Sequence, residues 1–144
     1  MRKLGWFLLG LLGVALAQDA LVGVKVAGGW VRFPARPDMT AAFLALENQS
    51  EKPFRLVGVK SEVAERVEVH ETFQEMRDGK MVMGMRPVAS LEVPPGGRLE
   101  LRPGGYHLML IGLKRPLQVG EKVKLVLVFQ GGLRLPVDLP VEMR

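Results

Sequence analysis

The amino-acid sequence predicts an all-β protein, an antiparallel sandwich or barrel of about eight or nine short strands. Apolar or alternating runs are separated by Gly- and Pro-rich breaks every 8–12 residues or so, a spacing typical of such folds. Period-two alternation is clearest in 122–127, where one face is apolar and the other carries two lysines and a valine. No window has the pattern of a long amphipathic helix, and 61–65 is expected to form a single turn. A length of 144 residues supports one domain.

The first three strands are predicted at 22–33, 41–47 and 54–59, because each is an apolar run that ends or begins near a proline. The next two, 66–74 and 81–93, flank Asp78-Gly79, which is a two-residue hairpin signal. If residues 77 and 80 pair directly across that turn, the two residue numbers of every cross-strand pair in the hairpin sum to 157. The last four strands are predicted at 98–101, 106–113, 122–129 and 133–141, between Gly-containing breaks.

Residues 1–17 have the pattern of a cleavable export signal. Arg2 and Lys3 precede a run of 13 uncharged residues, 4–16, and Ala15-Leu16-Ala17 is a small-x-small cleavage site. The run is short for a bilayer span, which needs about 20 residues, although an uncleaved anchor is the alternative. We therefore expect residues 18–144 to form one β-domain that works in the periplasm or elsewhere outside the cytoplasm. Its 18 basic and 15 acidic residues leave a net charge of +3, which argues against a dedicated nucleic-acid binder.

The chain contains no cysteine. This excludes disulfides, thiolate zinc sites, cysteine nucleophiles, a blue-copper centre and a lipidated N-terminal cysteine. Only two histidines are present, and no nucleophile–base pair is visible, so we expect no enzymatic activity.

Methionine and histidine residues converge in the predicted sheet. Seven methionines follow residue 17, and four of them lie within ten residues, 76–85. In the predicted hairpin, His70 shares a face with Met85, with Thr72 directly opposite Met85 and Met76, Met81 and Met83 on the same face. His107 and Met109 are two residues apart and leave one face of their strand.

Two imidazoles and two thioethers form a soft, uncharged ligand set that favours Cu(I) over Zn(II), Ca(II) or Mg(II). The alternative is structural: methionines as core fillers, and histidines that are hydrogen-bonded or at the surface. Met39 and Met143 are assigned to that structural role, and Met76 and Met81, beside the turn, are open to a loop role.

The sequence resembles the PCuAC family of periplasmic copper chaperones across nearly all of residues 18–144. The segments that carry the resemblance include 83–88 (Met-Gly-Met-Arg-Pro-Val), 91–97 (Leu-Glu-Val-Pro-Pro-Gly-Gly) and 103–110 (Pro-Gly-Gly-Tyr-His-Leu-Met-Leu). Met85 is followed by 21 residues and then by His107-Leu108-Met109, as in the family's copper motif. The resemblance implies His70, Met85, His107 and Met109 as ligands. Here 14 residues separate His70 from Met85, where the family pattern has about ten, so Met81 or Met83 stays open as a substitute for Met85.

The resemblance further implies a cupredoxin-like Greek-key fold and one Cu(I) ion, delivered to the CuA centre of cytochrome c oxidase subunit II. The implied partners are that CuA domain and Sco-like copper proteins, with the chain itself a monomer. We expect His70, on a charged stretch, to be the most exposed ligand and the first displaced, with His107 and Met109 as the anchor. The alternatives are a copper storage or resistance protein, a copper oxidoreductase, and a β-sandwich interaction module without metal.

Overall fold

The computed structural model of the protein describes residues 23–144, which form ten β-strands and no helix. The predicted export signal and its cleavage site lie outside the described residues. The strands are β1 (Val24–Arg32), β2 (Met39–Asn48), β3 (Phe54–Lys60), β4 (Ala64–Arg77), β5 (Lys80–Pro87), β6 (Leu91–Val93), β7 (Arg98–Leu101), β8 (Tyr106–Leu113), β9 (Lys122–Phe129) and β10 (Arg134–Glu142).

The predicted all-β class is confirmed, with ten strands instead of eight or nine. The additional strand arises because the run predicted at 81–93 divides into β5 and β6. The chain leaves the β4–β5 ladder at Val88, whose N–H donates to the carbonyl of Val69 at 2.8 Å. The segment predicted as a single turn, 61–65, contains a turn at 62–63 that leads directly into β4.

Seven strands close into a ring in the order β4–β8–β2–β1–β10–β9–β3. The ring closes where Val59 of β3 pairs with Val67 of β4. The pairs are antiparallel except β1–β10, which is parallel. The other three strands extend this ring, with β6 on β3, β7 on the second half of β2, and β5 on β4.

The core lies inside the ring and follows the period-two alternation of the strands. Strand β9 is the clearest case, because Val123, Leu125, Leu127 and Phe129 are buried, whereas the residues that alternate with them are exposed or half-buried. Strand β2 differs because both of its faces are buried. Its even-numbered apolar residues join the core, and Ala41 and Phe43 form a small cluster with Trp30 on the outer face of the ring.

Strand β4 runs beyond the ring to form an arm with β5. Its first part, 64–71, pairs with β8, and 70–77 pairs with β5. Asp78 and Gly79 connect the two strands with φ angles of 52° and 77°, the left-handed conformation that tight hairpin turns require. Every pair from His70↔Pro87 to Arg77↔Lys80 has numbers that sum to 157, so the predicted register is confirmed.

Candidate metal centre

The two histidines of the chain are direct neighbours on adjacent strands. His70 of β4 is the Cα partner of His107 of β8, at the point where β4 leaves the ring for the arm. The centroids of their rings lie 5.8 Å apart, with an angle of 63° between the ring planes. A single ion with bonds of about 2 Å to one nitrogen of each ring holds the two nitrogens about 4 Å apart, which this ring spacing accommodates.

The strand register brings both methionines of the expected ligand set to the same sheet face. Met109 is paired with Glu68, two residues before His70. Met85 is paired with Thr72, two residues after His70, so Met85 is a diagonal neighbour of that histidine.

The register also separates Met85 from the two methionines that were open as substitutes. Met83 lies opposite Gln74, and Met81 lies opposite Met76 near the turn. Each is therefore farther along the arm from His70 than Met85 is. The longer spacing between His70 and Met85 reflects a longer arm, without a slip in register.

The candidate centre lies on the outer face of the ring, yet His107 is almost fully buried. Val69 and Leu108, the alternating neighbours of the two histidines, point into the core. On the outer face, the Phe43 ring lies 6.4 Å from His107 and 4.8 Å from Trp30, measured between centroids. The guanidinium of Arg32 lies 5.1 Å from the centre of the Phe43 ring. This aromatic wall leaves His107 only 3% exposed.

Glu68 fixes the tautomer of the His70 ring. The Nε2 atom of His70 lies 2.9 Å from Oε1 of Glu68, whose other oxygen accepts a hydrogen bond from Arg66 Nε at 3.1 Å. The hydrogen bond with His70 is the main reason why the pKa of Glu68 is lowered, so this carboxylate is ionised and can only accept. The proton of the neutral His70 ring therefore sits on Nε2, and Nδ1 is left as a buried atom without a hydrogen-bond partner.

His107 is held in the opposite tautomer. Its Nδ1 lies 3.2 Å from the carbonyl oxygen of Gly105, which can only accept, so Nδ1 carries the proton. Nε2 is then a buried lone pair without a partner. Burial is the main cause of a lowered pKa for His107; the hydrogen bond to Gly105 acts in the opposite direction, and the positive charge of Arg32 lowers that pKa further.

The exposure of the four expected ligands differs from the sequence-based expectation. The side chain of His70 is 15% exposed, whereas Met85 is 57% exposed. The expectation that His70 is the most exposed of the four is therefore wrong. The prediction assumed that a charged stretch is exposed. In the structure one of its charged residues, Glu68, is hydrogen-bonded to the edge of the His70 ring and covers it.

The methionines assigned to structural roles also differ from expectation. Met143 follows β10 and is 71% exposed, so it is not a core filler, whereas Met39 is partly buried at the start of β2. Met76 and Met81 lie in strands and are also exposed, so they are not loop residues.

The geometry limits which metals this face can hold. Among residues 23–144, no three side chains of His, Cys, Asp or Glu are grouped so that they could hold a metal ion. Two imidazole nitrogens with thioether neighbours suit a soft monovalent ion, because hard divalent ions require oxygen ligands. The sequence reasoning missed Glu68 and the Trp30–Phe43 wall. The signal for Glu68 was its position two residues before His70, which places both on one face.

Comparison with known proteins identifies a family that the sequence matches and a relative to which it is similar. The family described as "Putative lipoprotein LpqE-like" matches residues 24–141. "Putative lipoprotein Lxx21020" from Leifsonia xyli subsp. xyli (strain CTCB07) is 36% identical over 143 residues, which cover 94% of this chain and 84% of the relative.

Solved structures show the same fold. The solution structure of CuI-DR1885 from Deinococcus radiodurans is 36% identical with a TM-score of 0.65, over 81% of this chain and 76% of that one. The copper-bound PCuAC domain from PmoF2 is 24% identical with a TM-score of 0.69, over 85% and 94% of the two chains. The expected cupredoxin-like β-fold is thereby confirmed. None of residues 23–144 forms a helix with the length and apolar character needed to cross a bilayer.

Proposed function

Because this chain belongs to the LpqE-like family, within the PCuAC family, we propose that it is a copper chaperone with one Cu(I) ion as its cargo. The proposed ligands are His70, Met85, His107 and Met109. One observation carries the proposal: each histidine presents a buried nitrogen that has no hydrogen-bond partner, and the two rings are neighbours. The solved relative DR1885, at 36% identity, is described with Cu(I) bound, which supports this choice of ion.

The chemistry of the proposed site favours Cu(I) for two reasons. Thioethers are soft ligands that bind Cu(I) well and hard divalent ions poorly. Glu68 and the Gly105 carbonyl each accept a hydrogen bond from one imidazole nitrogen, which orients the ring and leaves the lone pair of its other nitrogen available to a metal.

A chaperone must release its ion, and the uneven exposure of the ligands supports a route for release. His107 is buried and Met109 is partly buried, whereas Met85 lies at the surface of the arm. An acceptor that approaches the arm reaches Met85 first. Transfer then proceeds by exchange of one ligand at a time, with the buried histidine as the last protein ligand to leave.

The proposed acceptor is the CuA domain of cytochrome c oxidase subunit II, outside the cytoplasm. A CuA centre holds copper with bridging thiolates, which bind more strongly than thioethers, and this difference sets the direction of transfer. An extracytoplasmic location agrees with the lipoprotein descriptions of the family and of the Leifsonia relative. Sco-like copper proteins are the second class of partner that we propose.

The proposed binding is tested by titration with Cu(I), Cu(II) and Zn(II) under anaerobic conditions, in competition with a chromophoric Cu(I) chelator. We expect tight Cu(I) binding at the histidine centre, which is lost in His70→Ala/His107→Ala and retained in Met39→Ala. X-ray absorption of the loaded protein should show both nitrogen and sulfur ligands. Tight, stoichiometric Zn(II) binding without Cu(I) binding contradicts the proposal, and failure to bind any metal favours a β-sandwich interaction module.

A further inference from the structure

The β4–β5 arm has two chemically different faces. One face carries Phe73 and the charged residues, with ion pairs from Arg86 to Glu71 at 2.6 Å and from Arg77 to Glu75 at 3.2 Å. The other face continues from His70 towards the turn and has no charged side chain between the histidine and the turn. Its residues are Thr72, Gln74, Met76, Met81, Met83 and Met85.

The side chains of the methionines near the tip of this uncharged face are mostly exposed to solvent. Met76 is 62% exposed, Met81 57% and Met83 63%. Exposed apolar side chains contribute little to folding, because they stay in water. A structural role as core filler is therefore wrong for these three residues, which leaves the chemistry of their sulfur atoms.

The strand register makes the side chains of Met76, Met81 and Met83 neighbours on one face of the arm. Met76 and Met81 are direct cross-strand partners, for which Cβ atoms are about 5 Å apart. Met83 is two residues beyond Met81 on the same face and lies diagonally across from Met76, about 7–8 Å away. Methionine has three flexible side-chain bonds, so thioethers at these separations reach a common ion.

We propose that Met76, Met81 and Met83 form a second Cu(I) site, built only from thioethers, at the tip of the arm. The three neutral ligands suit a soft monovalent ion, and this face offers no carboxylate or imidazole to a hard one. The site is distinct from the His70–His107 centre and does not depend on it. Met85 lies between the two sites on β5. That strand therefore presents a thioether at every second position from the tip of the arm towards the histidines.

The test counts ions and locates them. The protein, labelled with ¹³C at its methionine methyl groups, is titrated with Cu(I) under anaerobic conditions while native mass spectrometry and NMR follow binding. We expect two bound ions, with the methyl signals of Met76, Met81 and Met83 shifting together. In the triple variant Met76→Leu/Met81→Leu/Met83→Leu, which keeps the apolar surface and removes the sulfur, the count should fall from two to one.

Two further variants keep this site separate from the histidine centre. His107→Ala/Met109→Ala should still bind one ion, with the three arm methyl signals shifting as in the unaltered protein. Met143→Leu removes an equally exposed methionine elsewhere and should still bind two. The proposal is overturned if the unaltered protein binds one ion with the arm methyl signals unmoved, or if the triple leucine variant still binds two.

Discussion

Nδ1 of His70 and Nε2 of His107 are buried, lack hydrogen-bond partners, and belong to rings whose centroids lie 5.8 Å apart. A buried polar atom without a partner costs about 1–3 kcal/mol, so native structures rarely keep two side by side. An ion bound by both nitrogens removes this cost. In the proposed site the fold therefore holds both histidine ligands in place before a metal binds, and the following predictions test what that arrangement does.

Buried His107 and half-buried Met109 should together dominate the affinity for Cu(I). Replacing both with alanine should weaken Cu(I) binding at the histidine centre by more than about 100-fold, because only His70 and the exposed Met85 remain there to hold the ion. Competition with a chromophoric chelator measures the change. Met39→Ala and Met143→Ala are the controls and should stay near the unaltered affinity. Equal losses at all these positions would mean that the measured binding is nonspecific.

Glu68 should act on copper through His70. Glu68→Gln removes the charge that fixes the His70 tautomer, and we expect a loss of about tenfold in Cu(I) affinity, as for other partners of metal-binding histidines. Glu71→Gln is the matched control, because Glu71 pairs with Arg86 on the opposite face of the arm. An NMR spectrum of the His70 ring reports its tautomer directly. If Glu68→Gln changes neither tautomer nor affinity, Glu68 does not position the ring.

Local patterns in the sequence predicted the fold class and part of the arrangement of the candidate site residues. The Asp78-Gly79 signal fixed the arm register, because a two-residue turn leaves only one way to pair the strands. His107 and Met109 were placed on one face by period two alone. The pairing of β4 with β8, which makes His70 and His107 neighbours, joins strands that are distant along the chain. It was reached only through the family resemblance.

Exposure was the property that sequence reasoning predicted least well. The stretch around His70 has acidic neighbours, but one of them, Glu68, covers the ring that it was expected to expose. The methionines of the arm were open to a core-filling role, yet they lie on a two-stranded extension that covers no core. Both errors have one origin. The alternation of apolar and polar residues predicts on which face of a strand a side chain lies, but whether that face is covered depends on strands elsewhere in the chain.

Acid should destabilise the metal-free protein through His107. Burial holds the folded-state pKa of His107 below 6.5, so above that pH the ring is neutral in both folded and unfolded states. As the pH falls below 6.5, the unfolded chain takes up a proton that the folded chain does not, and the free energy of unfolding decreases until the pH reaches the folded-state pKa. Chemical denaturation at pH 7.5 and 5.5 should show this loss.

His107→Leu is the comparison for the effect of acid, because leucine fills the buried position with an apolar side chain that cannot take up a proton. Its free energy of unfolding should fall less between pH 7.5 and 5.5 than that of the unaltered protein. An equal fall in both proteins would assign the acid sensitivity to other groups.

Gly29 should be intolerant of any side chain. Its φ is 141°, and an added Cβ would lie 2.6 Å from Cδ2 of Leu139 and 3.1 Å from the carbonyl oxygen of Phe43. Gly29→Ala should therefore lower the free energy of unfolding by about 1–3 kcal/mol, measured by denaturant titration. Gly28→Asn is the control, because Gly28 has a φ of 67° that asparagine tolerates and open space around it. Similar losses at both positions would mean that the close approach at Gly29 is relieved at little cost.

Delivery of copper should begin at Met85. This thioether is the most exposed of the four proposed ligands, so an incoming thiolate displaces it first, while buried His107 holds the ion until the acceptor has formed its own bonds. We expect Met85→Leu to slow transfer to the reduced CuA domain of cytochrome c oxidase subunit II by a larger factor than it weakens binding. His107→Gln should do the reverse, with a large loss of affinity and rapid release of the copper that remains. The measurement mixes loaded protein with excess reduced apo acceptor and follows both partners by NMR. Met143→Leu is the control and should transfer at the unaltered rate. If copper stays on the protein with acceptor in excess, delivery to CuA is wrong and a storage or resistance function replaces it.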